Sequence, residues 1–220
     1  MRTLSARIEF AVVVIGAFGY FILGNILTLL DPSPGPPLSD TGLRSLVVYE
    51  GVVLAALLTF LRLRNWPLQR LSMRPTPQGT LIGLGLAAAA YVAYAAALLI
   101  AAGLSSQIAT EAANMKLVAP GLGLGVIAAV SIVNPIFEEV FVCGYVVSTL
   151  RESCGFWTAV NVSIAIRLAY HLYQGPIGVL SIVPAGFIFA YWYARTGRLW
   201  PVIAAHGIYD FLGLFLGSAR

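Results

Sequence analysis

The sequence predicts an all-α fold, a polytopic transmembrane bundle of about seven membrane helices that forms a single membrane domain over residues 1–220. Two observations predict this class. Of the 220 residues, 59% are hydrophobic and only 10% are charged, whereas roughly a quarter of the residues in a soluble domain carry charge. Apolar segments such as Phe10 to Leu30 and Leu81 to Gly103 also approach or exceed the roughly 18 to 20 residues that a bilayer-spanning helix needs.

The apolar segments were assigned to helices in chain order. None of them shows the alternation of apolar and polar residues over about 10 positions that is typical of an outer-membrane barrel. The first run is about 20 residues long, above the 7 to 15 of a signal sequence, so we expect a membrane anchor. The predicted helices cover about residues 9–30, 45–61, 79–103, 121–150, 156–174, 177–194 and 199–217.

Loop arginines predict the orientation of these helices. The positive-inside rule makes the side with more arginines cytoplasmic, which puts the N-terminus in the cytoplasm and, for a bacterial source, the protein in the plasma membrane. This topology accounts for the net charge of +4, so we expect the lipid bilayer and no nucleic acid as a partner. The arginines on the predicted cytoplasmic side are Arg2, Arg7, Arg62, Arg64, Arg70, Arg74, Arg151, Arg195 and Arg198.

Five ionisable residues fall inside predicted helices. An acidic residue at the centre of a membrane helix costs roughly 2.5 kcal/mol or more, so such residues usually line a water-filled cavity or a reaction site. The other acidic residues are expected in loops or at helix ends, and Glu50, near the start of a predicted helix, is expected to reach the membrane interface. The five residues are Glu138, Glu139, Asp210 and the only two histidines of the chain, His171 and His206.

Counting 1.5 Å per residue from the cytoplasmic loops puts Glu138, His171 and His206 roughly 20, 24 and 12 Å deep. Helix tilt and a bend at Asn134-Pro135, where proline removes a backbone hydrogen bond, would let these side chains meet in one cavity. The sequence therefore predicts one shared site on three helices, the fourth, fifth and seventh of the predicted set.

Local spacing adds neighbours to each histidine. His206 and Asp210 are four residues apart and share a helix face, as do Arg167 and His171. Adjacent residues on a helix point about 100° apart, so we expect the two glutamates not to share one simple partner. Structural hydrogen bonds between helices, or a proton path, would explain the same residues without catalysis.

Several chemistries fit such a cluster. A glutamate with histidines in a low-dielectric cavity is a competent general base for activating water, which predicts hydrolysis, with a second histidine stabilising an oxyanion. Glutamate and two histidines would also ligate zinc, although the helical His-Glu-x-x-His pattern is absent. A cysteine nucleophile at Cys143 is a third alternative, which no other feature of the sequence favours.

At these residues the sequence resembles the CPBP family of intramembrane peptidases, the CAAX-protease and bacteriocin-processing or Abi proteins, over residues 134–213. The family motif Glu-Glu-x-x-x-Arg-Gly is similar to the segment that begins at Glu138 and ends at Gly144. The motifs Phe-x-x-x-His and His-x-x-x-Asn/Asp are matched by the segments from Arg167 to His171 and from His206 to Asp210.

The resemblance implies a glutamate-dependent endopeptidase that cleaves prenylated proteins near the C-terminus or processes bacterial peptides. Carried over by position, Glu138 and His171 would activate water, His206 and Asp210 would form the oxyanion site, and Glu139 would support them. No metal or other cofactor is expected, with zinc as the alternative. The alternative function is a catalytically inactive family member that acts as a bacteriocin-immunity or membrane scaffold protein.

Two positions depart from the family motifs. Cys143 stands where the first motif has arginine, and Arg167 stands where the second has phenylalanine. We interpret the two changes as linked, because Arg167 would supply from another helix the charge that is missing at Cys143 and so compensate the buried carboxylates. Arg167 is therefore a supporting residue of the predicted site.

Overall fold

The computed structural model describes residues 5–30, 37–114 and 118–219, and these residues form α-helices, short 3-10 and π segments and no β-strand beyond one isolated bridge. The all-α fold class is therefore confirmed. Arg2, Lys116, Arg220 and most of the proline-rich stretch after Leu30 lie outside the described residues. The helices are α1 (Ala6–Leu30), α2 (Asp40–Leu63), α3 (Pro77–Leu104), α4 (Ser106–Asn114), α5 (Leu124–Glu139), α6 (Val146–Cys154), α7 (Phe156–Tyr170), α8 (Gly175–Thr196) and α9 (Trp200–Ser218).

Six helical segments of the described chain are long and apolar enough to cross a membrane. One of them is continuous from Leu124 to Cys154 through α5, a π-helical segment and α6. The predicted fifth membrane helix differs from expectation, because α7 has 15 residues and is therefore only about 22 Å long. That length is short of the roughly 30 Å hydrocarbon thickness of a bilayer, so α7 ends inside the predicted membrane.

Several of the predicted cytoplasmic arginines contact residues near the ends of other helices. Arg70 forms an ion pair of 2.9 Å with Glu152 at the end of α6, and Arg64 forms one of 3.0 Å with Glu9 at the start of α1. Arg151 donates to the carbonyl oxygen of Ala194 near the end of α8. These contacts join the helix ends that the arginine distribution assigned to one side, and the cytoplasmic orientation of that side stays a prediction.

The segment from Leu124 to Cys154 is the centre of the bundle. In its most apolar stretch 61% of the residues are buried, against 11% in the corresponding stretch of α3. It packs against α2 and α9 through α5 and against α7 through α6. Many large apolar side chains on the outer helices, such as Ile15 and Leu99, are exposed, as expected for a surface that faces lipid.

A π-helical segment, Val140–Tyr145, follows the two glutamates directly, and all six of its residues are buried. π-Bulges inside α-helices are frequent at functional sites. Gly144 lets Leu71 pack closely against this segment, because a Cβ at position 144 would lie 2.5 Å from the Cδ2 atom of Leu71. The irregular turn thus packs closely against its neighbours immediately beside the candidate site.

Helix α9, which carries His206, lies close to α3 at a glycine. A Cβ on Gly83 would come within 2.7 Å of the Cβ of Ala204 and 2.8 Å of the carbonyl oxygen of Pro201. Gly85, two residues further along the same helix, has nothing within 4 Å of the corresponding point. Gly83 therefore sets the distance between α3 and α9.

We predict that Gly83→Val destabilises the bundle by about 1–3 kcal/mol, because the larger side chain must push α9 away from α3. The free energy of unfolding in detergent, or the midpoint of thermal unfolding, measures this change. Gly85→Val is the matched control and should leave the midpoint close to that of the wild type. Equal effects of the two substitutions would contradict the close approach at Gly83.

Candidate active site

The structure brings all six predicted site residues together between α5, α7 and α9. Glu138 and Glu139 end α5, Arg167 is in the last turn of α7, and His171 follows that helix. His206 and Asp210 lie one turn apart on α9. The three segments of the chain that carry the predicted site thus converge on one cluster.

Arg167 lies between the two glutamates. Its two terminal nitrogens donate separately, Nη1 to Glu138 Oε2 at 3.2 Å and Nη2 to Glu139 Oε1 at 2.7 Å. The expectation that adjacent glutamates do not share one partner was therefore wrong. A guanidinium has five N–H groups in a rigid planar fork, so it reaches two carboxylates that point in different directions.

The charge of this arrangement is enclosed by protein. The side chain of Arg167 is 3% exposed and that of Glu139 is 0% exposed. Cys143, which replaces the arginine of the family motif, is also buried, and its thiol interacts with the carboxylate of Glu139. Arg167 therefore reaches, from α7, the same carboxylate that an arginine at position 143 would adjoin.

The two oxygens of Glu138 have different surroundings. Oε2 accepts hydrogen bonds from Tyr170 at 2.6 Å and from Arg167. Oε1 accepts one from the Asn134 amide at 3.1 Å and lies 3.6 Å from His171 Nε2. Oε2 is thus held by strong donors, and Oε1 faces the histidine.

His206 lies among three carboxylates. Its Nδ1 is 2.6 Å from Glu139 Oε1, and its Nε2 is 3.4 Å from Asp210 Oδ1 and 4.0 Å from Glu138 Oε2. The contact with Glu139 fixes the ring orientation, so Nε2 points toward Glu138 and Asp210. One ring nitrogen is therefore used for positioning and the other faces the acidic residues of the site.

Helix α1 holds the end of α7 that carries Tyr170 and His171. Carbonyl groups in the last turn of a helix have no partner within it, and such groups are costly inside a membrane. The side chain of Asn25, which is 5% exposed, donates to the carbonyl oxygen of Ala169 at 3.1 Å. Phe18 stacks on Tyr170 with ring centroids 4.5 Å apart. The α1 helix therefore positions the residues that contact Glu138.

His171 and Asp210 are the most exposed residues of the cluster. The side chains of His171 and Asp210 are 14% and 20% exposed, compared with 6% for Glu138.

Glu138, Glu139 and His206 are the residues of the cluster that could ligate a metal ion. One oxygen of Glu138, one of Glu139 and a nitrogen of His206 lie within 4.8 Å of one another, as zinc ligands would. Arg167, however, donates to both carboxylates at 3.2 and 2.7 Å, and a divalent cation so close to a guanidinium would be strongly repelled in a buried site. The residues as arranged do not fit a metal ion.

Two contributors to the site were missed by sequence reasoning. Tyr170 donates to Glu138, and its position immediately before His171 was a usable signal. Asn134 is four residues before Glu138, so it shares its helix face, and it was considered only as part of the proline bend.

The predicted position of Glu50 was wrong. This residue was expected at the membrane interface, but it is 1% exposed and accepts a hydrogen bond of 2.7 Å from Asn134 Nδ2. The reason is that α2 begins at Asp40, about five residues before the predicted start, so Glu50 lies near the middle of the helix. The site therefore includes a carboxyl group from a fourth helix.

Comparison with known proteins identifies one family. Residues 120–212 match the family model described as type II CAAX prenyl endopeptidase Rce1-like. The matched region contains all three motifs, and it confirms the resemblance to the CPBP intramembrane peptidases. No curated protein and no solved structure gives a significant match to the chain.

We predict that Arg167→Phe destabilises the protein by about 3–5 kcal/mol, because two buried carboxylates lose their cation. Adding Cys143→Arg should restore part of this loss, since position 143 adjoins Glu139. Thermal unfolding of the purified proteins in detergent measures both effects. Arg44→Phe, which replaces an exposed arginine, is the control and should leave the midpoint nearly unchanged. A double variant no more stable than Arg167→Phe would contradict compensation.

Proposed function

We propose that this chain is an intramembrane endopeptidase in which Glu138 and His171 activate a water molecule for attack on a peptide bond. The single observation that carries the proposal is the distance of 3.6 Å between Glu138 Oε1 and Nε2 of His171, whose side chain is 14% exposed. A general base must lie within hydrogen-bond reach of the proton that it removes, directly or through one water. A water between these two atoms and the substrate carbonyl would meet that condition.

In this mechanism Glu138 Oε1 takes a proton from the water, and the resulting hydroxide forms a bond to the carbonyl carbon. His171 Nε2 holds the water on the side of the substrate. Tyr170 and Arg167 bind the other carboxylate oxygen, so Glu138 stays oriented while its charge changes. When the C–N bond breaks, Glu138 returns the proton to the leaving amine, and the products are a carboxylate and an amine.

The proposed oxyanion side of the site is formed by His206 and Asp210. As an imidazolium, His206 would donate Nδ1–H to Glu139 and present Nε2–H to the oxygen of the tetrahedral intermediate. Asp210 Oδ1, which lies 3.4 Å from Nε2, would help to hold the imidazolium ring of His206 in position. Preorganised donors of this kind contribute about 2.7–4 kcal/mol to lowering a reaction barrier.

The proposed reaction needs no metal ion or other cofactor. The charge that a metal would otherwise supply near the carboxylates is carried by Arg167. The proposed substrate is a peptide or a prenylated protein, because the matched family is described as a prenyl endopeptidase. The membrane itself is the other partner, through the apolar surface of the outer helices.

We predict that Glu138→Gln lowers kcat by at least about 100-fold, because the general base is lost. The assay uses purified protein in liposomes, a farnesylated peptide and its unprenylated counterpart, and mass spectrometry of the products. Glu111→Gln, the same change at a half-buried residue of α4 whose carboxylate accepts a hydrogen bond from Gln107, is the matched control and should retain wild-type activity. Chelator should leave wild-type activity unchanged.

Two outcomes would contradict parts of this proposal. Loss of wild-type activity with chelator, restored by added zinc, would contradict the metal-free mechanism. A cellular phenotype that is intact in Glu138→Gln would favour the immunity or scaffold function instead. Cleavage of the farnesylated peptide alone would identify the prenylated substrate class, and cleavage of both peptides would identify unmodified peptides as substrates.

A further inference from the structure

Glu50 is a buried carboxyl group that the proposed mechanism does not use. It lies in the middle of α2, is 1% exposed, and accepts a hydrogen bond from Asn134 through Oε1. Its other oxygen, Oε2, is buried and has no hydrogen-bond partner among the described residues. A group of this kind is costly inside a membrane bundle, so its presence suggests a functional role.

Asn134 joins Glu50 to Glu138. Its Nδ2 is 2.7 Å from Glu50 Oε1 and 3.1 Å from Glu138 Oε1. An amide NH2 group has two hydrogens, so one is directed to each carboxyl group. The oxygen of Glu138 that receives the second hydrogen is the one that faces His171, the proposed base oxygen.

The charges around Glu50 differ from those around the other buried acids. Its charged neighbours are Glu138, Asp210 and His206, and Tyr49 is adjacent in the chain. Within ion-pair distance, the described residues provide each of the other three acids with an arginine or histidine side chain but provide none for Glu50. The pairs are Arg167 with Glu138 and Glu139, His171 with Glu138, and His206 with Glu139 and Asp210.

The ionised form of Glu50 is strongly disfavoured in a low-dielectric interior, because Glu50 has two acidic neighbours and no adjacent cation. We propose that Glu50 is a positioning residue of the active site, a neutral carboxylic acid that holds the Asn134 amide so that its N–H groups face Glu138. This inference rests on the proposed function. It assigns Glu50 a role through Asn134 and no contact with substrate.

The orientation of Asn134 has a direct consequence for the base. If the amide turned over, its carbonyl oxygen would face the carboxylate of Glu138, and two acceptors would repel each other. Glu50 favours the observed orientation when Oε1 is the carbonyl oxygen of the acid, which accepts a hydrogen from the amide, and the proton is on Oε2. Glu138 Oε1 thereby keeps a donor that stabilises its ionised form and fixes its direction toward His171.

The test compares Glu50→Gln with Glu50→Leu. The glutamine carbonyl can accept the same hydrogen bond as a neutral acid, whereas leucine cannot. We expect Glu50→Leu to lower kcat roughly 100-fold, the size of effect caused by a small misplacement of a reacting group, with KM within about threefold of the wild type. Glu50→Gln should retain at least about ten times the kcat of Glu50→Leu.

The matched control is Leu43→Ala, which removes a buried side chain from the same α2–α5 interface without touching Asn134. It should lower the midpoint of thermal unfolding and keep kcat. Equal loss of kcat in Glu50→Gln and Glu50→Leu would overturn the neutral-acid role. Wild-type kcat in Glu50→Leu would overturn the positioning role.

Infrared spectroscopy gives a second measurement that does not depend on activity. The carbonyl stretch of a protonated carboxylic acid should be present at neutral pH in the wild type and absent in Glu50→Gln. Its presence in an inactive wild-type protein would separate a failure of the proposed hydrolysis from a failure of this inference. Spectra without that band in the wild type would overturn the assignment of Glu50 as neutral.

Discussion

The contact on which the site depends is the guanidinium of Arg167 held between Glu138 and Glu139. Two neighbouring carboxylates at 6% and 0% exposure would repel each other inside an apolar bundle, and removing a partner from a buried ion pair typically costs about 3–5 kcal/mol. With Arg167 in place, Glu138 has one oxygen occupied and one directed to His171. The same contact is the basis of the proposal that the site works without a metal ion.

The length and position of α7 bring Arg167 to the two glutamates. The short α7 puts Arg167 in its last turn and ends the helix where His171 can reach Glu138. Ending a helix inside the membrane leaves carbonyl groups without partners, and Asn25 of α1 supplies one of the missing donors. A helix outside the three motifs therefore has a defined part in the geometry of the site.

Much of this could be predicted from the sequence, because the signals were local. Apolar runs of sufficient length indicated the helices, and isolated charges within them indicated the cluster, including Arg167 opposite Cys143. Contacts between helices distant in sequence were less predictable. The sharing of Arg167 by both glutamates depends on the relative rotation of α5 and α7, which no spacing rule specifies. The prediction for Glu50 was wrong because α2 begins about five residues before the predicted start. With the predicted start, Glu50 is near the end of a helix, where an acidic residue is expected at the membrane interface.

In the proposed site an arginine, and not a metal ion, compensates the charges of the paired glutamates. The most direct measurement is an experimental structure of the wild-type protein grown with zinc, with diffraction data recorded at the zinc absorption edge. The account predicts density for the Arg167 guanidinium within hydrogen-bond distance of both Glu138 and Glu139, and no anomalous peak between them. An anomalous peak bound by Glu138, Glu139 and His206, with Arg167 turned away, would contradict it.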